Sequence, residues 1–90
     1  MQEYHILPVS AQSRVADVAG AIAGTVRDHG YAETRSIGAG ALNQALKAVI
    51  IATGYLREDG INVCVMPRYH EVEIDGTPKT SIVLKIVEFG

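Results

Sequence analysis

Apolar residues recur along this chain in two rhythms, every second position and every third or fourth, and the switches between them predict its elements. Tyr4 to Val9 is a short apolar segment with Pro8 near its end, which predicts a first strand at a sheet edge or a strand end. Ser10-Ala11-Gln12-Ser13 reads as a turn, with Ser13 the predicted N-cap of a helix. From Arg14 to His29, Val15, Val18, Ala19, Ile22 and Val26 fall at helical spacing, and Gly30 supplies the stop. Ala16, Gly20 and Gly24 make a second stripe on the same helix. Mid-helix glycine is costly, so the stripe predicts something passing close by, either helix two or a partner subunit. Glu33 to Ile37 reads as a short second strand, with Ile37 entering the core.

A second helix is predicted from about Ala41 to Tyr55 or Leu56. Leu42, Ala45, Leu46, Val49, Ile50 and Leu56 are its expected inner face. Ala48, Ile51 and Tyr55 fall on its expected outer face. An exposed apolar patch of that kind marks an interface, here a homodimer contact. After an Arg57-Glu58-Asp59-Gly60 loop, Ile61 to Met66 is almost wholly apolar, which predicts a buried central strand weakened or ended by Pro67. Arg68 to Lys79 reads as a long hairpin arm, with a strong turn signal at Asp75-Gly76-Thr77-Pro78. Ser81 to Phe89 alternates cleanly, Ile82, Leu84 and Ile86 against Val83, Lys85 and Val87, and is the last strand, antiparallel to Ile61–Met66.

The order is strand, helix, strand, helix, strand, strand. Strand–helix–strand implies parallel first and second strands with a right-handed crossover. The predicted fold is an α+β two-layer sandwich: one domain over residues 1–90, a mixed four-stranded sheet with two helices on one face.

Composition narrows the function. The chain has 90 residues, 48% of them apolar, and a formal net charge of -2. A generic polyanion binder is normally basic, so any nucleic-acid role has to rest on a local patch. No apolar run is long enough to span a membrane and no signal peptide opens the chain, so a cytoplasmic protein without a membrane role is expected. The single cysteine, Cys64, excludes an intrachain disulfide and reads as a small core residue. His5, His29 and His70 lie in separate segments, no metal-ligand spacing exists, and no nucleophile is set beside a base. No metal, no cofactor and no enzymatic activity are expected.

Gly38-Ala39-Gly40 is the one local sequence that suggests chemistry. It opens like a dinucleotide fingerprint, but Asn43 stands at the third glycine position, and it is no P-loop. Two readings remain. Loop N–H groups, Asn43 and Lys47 can seat an anion at a helix start, or the glycines simply let helix and strand pack closely. On the arm, Arg68, Tyr69, His70 and Lys79 could lie along a nucleic-acid backbone. Glu71, Glu73 and Asp75 on the same arm would oppose phosphate.

The run Ile37-Gly38-Ala39-Gly40-Ala41-Leu42-Asn43-Gln44-Ala45, followed by Lys47-Ala48-Val49, resembles the signature of the stage V sporulation protein S family. Val9-Ser10-Ala11, Val18 to Gly24 and Ile74-Asp75-Gly76 resemble it too, so the likeness covers nearly the whole chain. It implies a small cytoplasmic protein that regulates sporulation and development in bacteria. More distantly, the element order resembles the Alba family, whose members are dimers that bind DNA or RNA. By that resemblance the contacting regions would be the start of helix one (Ser13, Arg14), the helix-two opening (Gly38, Ala39, Gly40, Asn43, Lys47) and the arm (Arg68, Lys79). Alba loops are basic where this chain has Ala39 and Ala41. The resemblance therefore implies weak, salt-labile binding to few phosphates.

The expected protein is a non-enzymatic regulator, a homodimer through Ala48, Ile51 and Tyr55, that binds DNA or RNA through that small patch. The alternatives are a protein-interaction module with no nucleic-acid affinity and a binder of a small anionic ligand at the helix-two N-terminus.

Overall fold

The structure is a computed structural model and describes residues 6–90; Tyr4 and His5 of the expected first strand lie outside them. Its elements are β1 (Ile6–Val9), α1 (Val15–His29), β2 (Tyr31–Ser36), α2 (Ala39–Glu58), β3 (Val63–Ile74) and β4 (Thr77–Glu88). They build one mixed sheet of order β1-β2-β4-β3, in which β1 and β2 are parallel and β4 is antiparallel to both β2 and β3. Both helices lie on one face. The expected architecture and the parallel first pair are present.

The core is set by strand alternation. Val9 of β1, Ala32 of β2, and Leu84 and Ile86 of β4 point at the helices. Ala19, Ile22, Ala23 and Val26 of α1 meet Ala45, Ala48, Val49, Ala52 and Leu56 of α2. Alanine dominates where the helices face each other, and small side chains let their axes approach. Beneath them, the hydroxyls of Thr34 and Ser36 are buried without a hydrogen-bond partner among the described residues.

Helix two differs from its predicted faces for that reason. Ala48 is fully buried, so it belongs to the core and not to an outer interface. Leu46 and Ile50, expected inside, are exposed, Ile50 at 71%. Size alone would turn Leu46 and Ile50 inward, but the close helix contact is made mostly by alanine, with Val49 and Leu56 the larger α2 residues in it. Ile51 and Tyr55 do stand outside. On α1, among the described residues, nothing lies within 4 Å of a side chain placed at Gly20 or Gly24, so neither glycine marks a close approach within the described chain.

The second correction concerns β3. It is an edge strand with no fully buried residue, and β4 takes the central place. Cys64 is exposed with it. The strand runs through Pro67 to Ile74 because Pro67, paired with Leu84, needs no inward N–H. At the end of β4 the Glu88 N–H bonds the Gly30 carbonyl on the β2 side and the Phe89 N–H bonds the Asn62 carbonyl on the β3 side, so by alternation Leu84 bonds toward β2 and Pro67 opposite it has its N turned to the free edge.

Smaller differences are local. Ile37 lies outside β2 and is exposed, and helix two starts at Ala39, inside the Gly-Ala-Gly run. The N-cap of α1 is Arg14; Ser13 Oγ instead accepts the Ser10 N–H at 2.9 Å. Gly30 ends α1 as expected, its N–H bonded to the Val26 carbonyl. Asp75 and Gly76 both have positive φ, as a tight two-residue hairpin turn requires.

Candidate nucleic-acid interface

A parallel pair of strands puts the starts of the following helices at one end of the sheet. β1 leads through Ser10–Ser13 into α1, and β2 leads through Ile37 and Gly38 into α2. Two contacts join these crossings. Gln44 Nε2 donates to the Ser13 carbonyl at 2.9 Å, and a Cβ added at Gly40 would stand 3.2 Å from that of Ala11. Glycine at 40 is thus a close-approach residue. Glycine at 38 serves a different need, an N-cap at φ 93° that other residues rarely adopt.

The result is a pair of helix starts, side by side and open to solvent. Neither N-cap side chain bonds its helix. The first intrahelical bonds are made by the N–H groups of Val18 and Leu42, which leaves the three preceding N–H groups of each helix outside the helical ladder. Gly38, Ala39 and Gly40 are exposed, as are Arg14, Asn43 and Lys47. Asp17 lies 3.6 Å from Arg14 in a highly exposed pair, and α2 has no acidic residue in its first turn. Ser13, Arg14, Gly38, Ala39, Gly40, Asn43 and Lys47 therefore share one end of the molecule. Gln44 was missed in the sequence; its clamp on Ser13 depends on a contact 31 residues apart.

A family model described as stage V sporulation protein S (SpoVS) matches residues 5–89 of the 90. The chain belongs to the SpoVS family. Family membership makes it a small sporulation-related protein. Among the described residues no helix is long and apolar enough to cross a membrane, and no cluster of potential metal ligands occurs.

The hairpin arm of this SpoVS-family chain rises from the same end. β2 stops at Ser36, opposite Ile82, while β3 and β4 stay paired for five more steps, from His70↔Ser81 to Ile74↔Thr77. At about 3.4 Å per step, the arm projects roughly 17 Å past the sheet. Its charges are divided by alternation. Tyr69, Glu71 and Glu73 share the helix side with Ile82, whereas Arg68, His70 and Lys79 share the open side with Val83. So Arg68 and Lys79 are not brought together with Arg14 and Lys47; they stand on the opposite face. The carboxylates of the arm do not share their face.

Arg68 is also engaged. Its Nη1 donates to Glu33 Oε2 at 2.8 Å across β4, with Nη2 at 3.5 Å from Oε1. The hydrogen bond to Glu33 holds the guanidinium above its ordinary pKa, against a small desolvation effect, so the group is charged at any working pH. An apolar cavity of about 350 Å³ lies at the foot of the arm, between Pro67, Arg68, Tyr69 and Ile82. Tyr69 above it is 78% exposed.

Proposed function

We propose that this SpoVS-family chain is a non-enzymatic, nucleic-acid-binding regulator that holds phosphate at its paired helix starts. The observation that carries the reading is the junction of two uncapped helix N-termini, tied by the Gln44–Ser13 bond, with Arg14 at the cap of α1 and the exposed Lys47 two turns into α2. Free backbone N–H groups and the positive ends of two helix dipoles favour an anion there, and the side chains add charge. Ala39 and Gly40 let a ligand reach the backbone. Few phosphates are engaged, so binding is modest and salt-sensitive.

The test is fluorescence anisotropy of labelled DNA and RNA across a salt series. Arg14→Gln with Lys47→Gln should weaken binding several-fold and lower the slope of log K against log salt by about 1.5. An unchanged slope rejects this site. A second reading, self-association, has its own support in Ile50, Ile51, Leu46 and Tyr55, a stripe of large apolar side chains exposed along α2. Sedimentation of the wild type should give the mass of a dimer, and Ile50→Lys with Tyr55→Lys should give that of a monomer.

A further inference from the structure

The sheet has a second face that no helix covers, and its charge is unlike that of the chain as a whole. By register and alternation, Arg35, Arg68, Lys79 and Lys85 point to that side, four of the eight Lys and Arg residues. Of the ten carboxylates, Glu33 is the one in a described strand that does so, and it is already paired with Arg68. Arg35, Lys79 and Lys85 have no carboxylate partner among the described residues. A chain of net charge -2 therefore carries a face of net positive charge.

The face is also ordered. The rows Val72–Lys79, His70–Ser81, Arg35–Val83–Arg68 and Glu33–Lys85–Met66 follow one another along β4. From Lys79 to Lys85 the band runs six steps along β4, about 20 Å, with Arg35 and Arg68 on the two flanking strands. Val83 is fully buried although no helix lies over it; its two register partners, Arg35 and Arg68, are placed to close their stems over it. Lys85 Nζ stands 5.2 Å from the centre of the Tyr31 ring. The basic groups are thus held on a rigid strand layer. Beside the band, Met66 and Cys64 are exposed.

We infer that the open sheet face is a binding platform for single-stranded nucleic acid, distinct from the helix starts. Charge complementarity gives the partner class, a polyanion. Single strands are chosen by two features. The charges lie in one narrow band centred on β4, with Arg35 and Arg68 a single strand to either side, and the apolar surface along it suits bases that only an unpaired strand exposes. This inference takes from the preceding reading only that the ligand is a nucleic acid.

The experiment compares labelled 20-nucleotide single strands, RNA and DNA, with the matching duplex, in a salt series. Wild type should bind the single strands more tightly. Arg35→Gln, Lys79→Gln and Lys85→Gln together should weaken that binding at least tenfold and lower the salt slope by about 2, at roughly 0.7 per lost contact. Lys79→Gln alone, on the exposed arm and harmless to folding, should remove about one third of that slope. Equal or tighter duplex binding overturns the proposal, as does an unchanged slope in both variants. Loss confined to Arg14→Gln with Lys47→Gln overturns it while leaving the helix-start reading intact. The reverse pattern supports the sheet face and rejects the helix starts.

Discussion

β3 and β4 are each twelve residues long, are joined by a two-residue turn and pair along their whole length. Their residues are comparably apolar near the sheet body, where Val63, Cys64, Val65 and Met66 face Ile86, Val87 and their neighbours. Yet Ser81, Val83, Leu84 and Ile86 of β4 are buried, and β3 buries nothing fully. The difference is position. β4 has a strand on each side and α1 within reach; β3 has one neighbour and a free edge. Burial along a strand follows its neighbours, and a run of valines does not create them.

The sharpest way to break this comparison is to cut matching side chains. Ile86→Ala should cost about 2–5 kcal/mol, read from urea unfolding. Val65→Ala, directly opposite in the ladder, should cost about 1 kcal/mol or less. Equal costs would mean that β3 is covered in solution, most simply by a second copy. Next in size is the helix contact. Ala48→Leu should destabilise by about 1–3 kcal/mol through overpacking. Ile50→Gln on the exposed side should stay within about 0.5 kcal/mol when unfolding is followed at dilutions where the chain is monomeric.

A smaller effect is expected under the helices. Thr34→Val removes a buried hydroxyl that has no partner among the described residues, and should stabilise by about 1 kcal/mol, seen as a higher Tm. Smallest of all is the open face. Glu33→Gln should change stability by less than about 1 kcal/mol, since Arg68 is half-exposed. It should also release the Arg68 charge and tighten single-strand binding by a few fold. A loss of affinity in that variant would show that the pair positions Arg68 and does not restrain it.

Element order and the alternation of β4 were legible because they rest on local rhythm. Ile82, Leu84 and Ile86 had to share a face, and Gly30 had to end a helix. Strand order was not legible. Whether β3 or β4 is central depends on which of them pairs with β2, a contact between residues some 50 positions apart. The faces of α2 were misread because apolar size was weighed above fit, and the α1 contact selects alanine. Of the candidate site, the side-by-side placement of the two helix starts followed from the parallel crossover. Arg35 and Lys85 were overlooked although their signal was present. Each alternates with core residues on its strand, so each had to face away from the helices.

Pro67 has one more consequence. A twelve-residue free edge is a template on which further chains can add, strand upon strand, into fibres. Here the outward ladder is cut at its fifth position into four residues before it and a stretch after it that bears Glu71 and Glu73. The first piece is too short to seed such growth and the second repels its own copies. A protein that leaves valine, methionine and cysteine on an open rim can therefore be held at high concentration without solidifying.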